Sequence, residues 1–128
     1  MSQTNRFDFS TNWNNKLSCA AFTTLRLSGR FAVGDRGEVW LKDTFLGVVE
    51  VIDKKRFESP AVINEWVAQL DTGYSADETR NILARMYRDV QDWSRQPVYY
   101  YLLRYTSESA ARARLAARKQ EPATLFAS

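Results

Sequence analysis

Two segments alternate apolar and polar residues with the two-residue period of a half-buried strand. They are Glu38-Val39-Trp40-Leu41 and Leu46-Gly47-Val48-Val49-Glu50-Val51-Ile52. Lys42-Asp43-Thr44 between them is polar and short, which predicts a tight hairpin joining strands at about Arg36 to Lys42 and Phe45 to Asp53. Gly47 has no side chain to pack and is expected at a bulge or a close backbone approach. Phe22 to Leu27 also alternates, with Phe22, Thr24 and Arg26 on one face and Thr23, Leu25 and Leu27 on the other. Ser28-Gly29-Arg30 breaks that strand, and Gly34-Asp35 turns the chain into the next. Val98 to Tyr105, rich in Tyr and Leu, reads as a final strand.

The period changes between these strands. Ser59-Pro60 supplies an N-cap and a first-turn proline, followed by an apolar stripe of Val62, Ile63, Trp66, Val67 and Leu70. This stripe places Trp66 in the core, and Asp71-Thr72-Gly73 ends the helix. Ser75-Ala76-Asp77-Glu78 is a capping box for a second helix whose buried face is Ile82, Leu83, Met86 and Tyr87. Nearer the start, Ser10 or Thr11 is expected to cap a short helix through about Cys19, with Trp13 and Leu17 on one face. Residues 1–12 read as a flexible or edge-packed lead, 13–105 as the folded domain, and 106–128 as a basic, helix-prone tail rich in Ala and Arg.

Three strands, two helices and a strand make an α+β domain: a small mixed β-barrel with a two-helix insertion and a C-terminal helical tail. The order is not that of a doubly wound sheet, and neither GxGxxG nor GxxxxGK[ST] occurs. Rossmann and P-loop readings fall away.

Composition narrows the chemistry. A chain of 128 residues supports one core. No apolar run approaches the roughly 20 residues of a membrane span, so a soluble, cytoplasmic protein without a membrane partner is expected. Cys19 is the single cysteine, expected as a small half-buried side chain, and cannot form an internal disulfide. Histidine is absent, which removes His-based triads and HExxH zinc sites. No cofactor or metal site is indicated, so any chemistry rests on Lys, Thr, Asp, Glu, Tyr or Arg. The net charge is +3, and residues 105–128 hold four cations against two glutamates, so the body is nearly neutral. A broad basic face for duplex binding is not implied.

Phe22-Thr23-Thr24-Leu25-Arg26, the downstream Val33-Gly34-Asp35 and the strand Leu46 to Val51 together resemble the ASCH domain of the PUA-like barrel superfamily. The likeness covers about Trp13 to Tyr105. It implies a PUA-like barrel that binds RNA or a nucleotide-like ligand in a cleft beside the first core strand. Part of that family resembles amidohydrolases that deacylate modified cytidines with a Lys, a Thr and a Glu. Thr24 matches the family threonine, Arg26 the arginine and Gly34-Asp35 the turn. Ala21 stands at the lysine position, and no glutamate falls near Asp71 to Gly73, so no catalytic residue is assigned.

The expected binding residues are Lys16, Thr24, Arg26, Trp40 and Tyr99. Arg26 offers a planar fork to a phosphate or base edge, or a salt bridge to Asp35 or Glu50. Thr24 shares its face. Lys16 is either a cation reaching into the cleft in place of the lysine missing at Ala21, or a solvated helix residue. Trp40 and Tyr99, the latter in the Tyr99-Tyr100-Tyr101 run, offer stacking platforms, as would an exposed Trp93. Lys54-Lys55-Arg56 either tracks a phosphate backbone or is a solvated loop. The alternatives to a binding module are an amidohydrolase acting on acylated nucleosides and a protein-interaction module. In the latter, the tail with Leu125-Phe126 would dock on a partner protein or a second copy.

Overall fold

The computed structural model describes residues 5–106. Five strands form one sheet: β1 (Asn5–Phe9), β2 (Ala21–Arg26), β3 (Arg36–Leu41), β4 (Thr44–Phe57) and β5 (Val98–Tyr105). Their order across the sheet is β1-β3-β4-β5-β2, with β1 parallel to β3 and the other pairs antiparallel. The sheet curls into a half-barrel. Helices α1 (Glu65–Asp71) and α2 (Ala76–Met86) lie in the connection from β4 to β5. The α+β architecture with a two-helix insertion is therefore as the patterning predicts. The helical tail expected over 106–128 lies, from residue 107 on, outside the described residues.

The hairpin between β3 and β4 turns on Lys42-Asp43, with Lys42 at φ 53°. Gly47 does mark a bulge: Val39 pairs with Gly47 and Trp40 with Phe45, leaving Leu46 as the extra residue. A bulge changes which alternate residues face inward, and Leu46 and Val49, three apart, are both fully buried. A second irregularity leaves Ile52 unpaired between Val51 and Asp53. These two breaks let one 14-residue strand bend along the curl. β4 also runs on through Lys54-Lys55-Arg56, so these residues are strand rather than loop. Lys54 donates to the Gly29 carbonyl at 2.6 Å, and Arg56 pairs with Glu58 at 2.8 Å.

Alternate residues of all five strands meet inside the curl: Phe7 and Phe9, Phe22, Val39 and Leu41, Val49 and Val51, Tyr101 and Leu103. Residues 5–9 are thus an edge-packed strand. Phe7 is fully buried against Phe31, with ring centroids 4.3 Å apart. A second cluster joins the sheet to the helices through Leu25 and Val98 against Ile63, Ala68, Ala76 and Leu83.

Three local expectations are corrected. The segment before β2 is a 3₁₀ stretch, Trp13–Ser18, rather than a helix capped at Ser10 or Thr11. Asn14 and Asn15 adopt φ of 55° and 53°, a left-handed conformation that Asn tolerates. Cys19 at its end is exposed. The stripe from Val62 to Leu70 is not one helix: Pro60–Val62 is a 3₁₀ turn, and Asn64 then caps α1 by accepting from the Val67 N–H at 3.0 Å. The restart at Asn64 changes the stripe's facing, so Ile63 and Ala68 are buried while Trp66 is 79% exposed. We expect Trp66→Ser to keep stability within about 0.5 kcal/mol of wild type in urea unfolding. A loss above about 2 kcal/mol would mean that the ring is packed.

Candidate functional site

β1 and β2 are the two edges of the curled sheet, so the seam between them is where the barrel lacks a backbone ladder. Arg26, the last residue of β2, bridges it. Its Nη2 donates to the Asp8 carbonyl of β1 at 3.0 Å, and its Nε donates to Thr24 Oγ1 at 3.0 Å. The guanidinium also lies 4.7 Å from the Phe9 ring centroid. Neither Asp35 nor Glu50, the partners considered for it from sequence, takes part. Burial pushes the Arg26 guanidinium down from its ordinary range, opposed by the charges of Tyr87, Asp71, Asp8 and Tyr101. An arginine so placed stays charged at neutral pH.

Where the seam opens, the insertion covers it. A cavity of about 110 Å³ lies between Asp8 and Phe9 of β1, Trp13 and Lys16, Thr24 and Arg26 of β2, and Asp71, Thr79 and Tyr87 of the helical segment. Lys16 enters because the 3₁₀ stretch turns Lys16 and Leu17 inward. Asn12 Oδ1 accepts from the Leu17 N–H at 2.9 Å, and the Tyr105 hydroxyl donates to the Leu17 carbonyl at 2.9 Å. Lys16 and Asp71 are 5% and 4% exposed, and Lys16 Nζ donates to Asp71 Oδ1 at 3.0 Å. Thr23, on the opposite face of β2 from Thr24, donates to the same oxygen at 3.1 Å. The two threonines thus hold the two halves of the site: Thr23 fixes the carboxylate, while Thr24 lines the cavity.

Burial pulls the Lys16 ammonium below the usual lysine range, and Asp71 opposes that shift by charge and hydrogen bonding. One ammonium N–H is used by Asp71, and Lys carries three. Thr24 Oγ1 accepts from Arg26. A guanidinium has no acceptor, so the hydroxyl hydrogen points elsewhere. Deeper in the wall, Thr72 and Thr79 share a 2.8 Å hydroxyl contact. The cavity therefore offers donors, a carboxylate and a hydroxyl between the rings of Phe9, Trp13 and Tyr87. It is well below the roughly 300 Å³ at which pockets begin to enclose whole ligands. It fits a functional group or a ring edge.

Of the five residues expected from sequence to bind, Lys16, Thr24 and Arg26 come together here. Trp40 and Tyr99 lie outside this cavity. Trp40 sits under the Arg6 guanidinium at 4.3 Å and donates to Glu38 at 3.0 Å. Tyr99 covers Gly29, where an added Cβ would come within 2.4 Å of the ring, and Lys54 sits 5.3 Å above it. Trp93 is half-buried against the helical cluster. Sequence reading missed Phe9, Trp13 and Tyr87 as walls, and took Asp71 only as part of a helix end. The alternation of Phe7 and Phe9 with Arg6 and Asp8 was the available signal for the first of these.

No helix among the described residues is long and apolar enough to cross a membrane. No family model matches the chain, and no curated protein matches it either. Among solved structures, the chain is similar to the crystal structure of protein EF3133 from Enterococcus faecalis V583, described under the family model DUF984. The superposition has a TM-score of 0.62 at 7% identity and covers 83% of this chain and 82% of that one. At that identity, the likeness is one of fold.

Proposed function

We propose that the seam cavity binds the polar edge of a nucleotide-like ligand, as presented by a nucleoside or an unpaired RNA base. The observation that carries this reading is the convergence of a buried ammonium, its partner carboxylate and an arginine-held hydroxyl on one small cavity with aromatic walls. A base edge alternates donors and acceptors, which Lys16, Asp71 and Thr24 match, and its face suits stacking on Trp13 or Tyr87. The resemblance to the ASCH domain in the β2 segment supports the same ligand class. Calorimetric titration with the four ribonucleosides and a short single-stranded RNA tests it. We expect Thr24→Val, which keeps the shape and removes the hydroxyl, to weaken binding about 3- to 10-fold, with Thr24→Ser restoring it. Equal binding by wild type and Thr24→Val would overturn the assignment.

A second reading has its own observation. Lys16 reaches the cavity from the 3₁₀ stretch, although Ala21 occupies the position of the family lysine, and Asp71 supplies a carboxylate. Hydrolysis of an N-acyl group consumes one water and yields a carboxylic acid and an amine. The neutral form of a lysine with lowered pKa would take the proton from Thr24 or from water. Release of acetate and cytidine from N4-acetylcytidine is the assay, and a rate no higher than that of Thr24→Val would dismiss it.

A further inference from the structure

Arg26 and Tyr87 line a second hollow that adjoins the first. It is an open depression of about 400 Å³, with Arg6, Ser28 and Arg30 also in its wall. Three guanidinium groups on one concave surface are unusual in a body whose charge is nearly balanced. Each is already seated on a ring: Arg6 lies 4.3 Å from Trp40, Arg26 4.7 Å from Phe9, and Arg30 4.6 Å from Phe31. Arg6 is neutralised by Asp8 at 2.7 Å. Arg26 and Arg30 have no carboxylate within ion-pair distance among the described residues. Arg26 spends one N–H of Nε on Thr24 and one of Nη2 on Asp8, which leaves three donors, two on Nη1 and one on Nη2.

Fixed, planar donors with uncompensated charge suit a tetrahedral anion, because two arginine forks present several N–H groups to oxygens on one centre. Seating the side chains on aromatic faces also reduces the rotamer freedom lost on binding. We propose that the depression is a phosphate subsite, and that the ligand whose ring edge enters the seam cavity carries a phosphate ester held by Arg26 and Arg30, with Arg6 at the rim. This rests on the reading of the seam cavity given above. The ligand is then a nucleoside phosphate, free or within a single strand, rather than a bare nucleoside.

Titrations with the four ribonucleosides, their 5′- and 3′-monophosphates, inorganic phosphate and a five-nucleotide single-stranded RNA test it, each at low and at high salt. On the wild-type protein, a monophosphate should bind roughly ten-fold or more tightly than its nucleoside. That advantage should shrink as salt screens the charges. In Arg30→Gln, an exposed position, the ratio should fall to about two-fold or less. Tighter binding of the RNA than of the free monophosphates would identify the strand as the source, and equal or weaker binding would identify the free nucleotide. Nucleosides that bind and are lost in Thr24→Val, with no preference for monophosphates, would overturn the subsite and leave the cavity reading intact. Phosphate binding that needs Arg30 but ignores Thr24→Val would uphold the subsite and remove the cavity reading. No binding of any probe would sink both.

Discussion

Asp71→Ala should destabilise the protein by roughly 3–5 kcal/mol at pH 7, because it leaves the Lys16 ammonium buried without its carboxylate. Thr23 loses its acceptor in the same change. The double replacement Lys16→Met/Asp71→Leu removes both charges and fills the space. It should recover about 2 kcal/mol or more of the loss, since buried ion pairs are often no more stabilising than well-packed apolar residues. The pH dependence has a definite sign. Lys16 already has a folded-state pKa below the unfolded value of 10.5, so in the interval between the two the unfolded chain binds more protons. Stability contributed by this group therefore rises with pH across that interval. Removing Asp71 takes away what holds the ammonium charged, so the folded pKa falls further and the interval widens. Urea unfolding of Asp71→Ala at pH 7 and at pH 9.5 should show a smaller deficit at the higher pH. A loss below about 1 kcal/mol at pH 7 would mean that the pair is open to water.

Phe7→Ala should cost about 3–5 kcal/mol, the range for truncating a fully buried aromatic ring. Phe7 packs on Phe31 at 4.3 Å and on Tyr101 at 6.4 Å, and its ring lies where a Cβ on Gly37 would meet it at 2.7 Å. No smaller neighbour can close the void cheaply. The measurement also decides whether residues 5–9 belong to the domain. A thermal midpoint unchanged by Phe7→Ala would show that this segment is dispensable for the fold. β1 also carries Phe9 and the Asp8 carbonyl, so the same variant should weaken the closure of the seam.

The parts of this fold legible in the sequence are those whose signal is local. The β3–β4 hairpin has alternation on both sides and a polar turn, and Ser75 caps α2 by accepting from the Glu78 N–H at 3.1 Å, as its capping box implies. β1 was hidden because five residues with two apolar positions carry little periodic signal, and its ladder partner, β3, lies about thirty residues on. Trp66 misled for a different reason. Helical spacing from Val62 to Leu70 assumes one continuous helix, and Asn64 resets it.

The site divides in the same way. Thr24 and Arg26 were readable because they share one face of a strand. The burial of Lys16 was not, since it depends on a carboxylate 55 positions away and on two asparagines in a left-handed turn. Arg26 reaches the Asp8 carbonyl only once the sheet has curled.

The position of β2 at the far edge of the sheet sets an order of events during synthesis. Its ladder partner is β5, with Ala21 opposite Arg104 and Arg26 opposite Tyr99. Thr23, Thr24 and Arg26 are made before β5, and the strand that carries them has nothing to pair with until Val98 to Tyr105 has followed. Pairings this distant in sequence form slowly, because a long loop must close before any contact rewards it. The β2 residues that would meet a ligand are thus made well before the strand that secures them. A nascent chain halted before β5 would hold every predicted contact residue of the seam without the wall that brings them together.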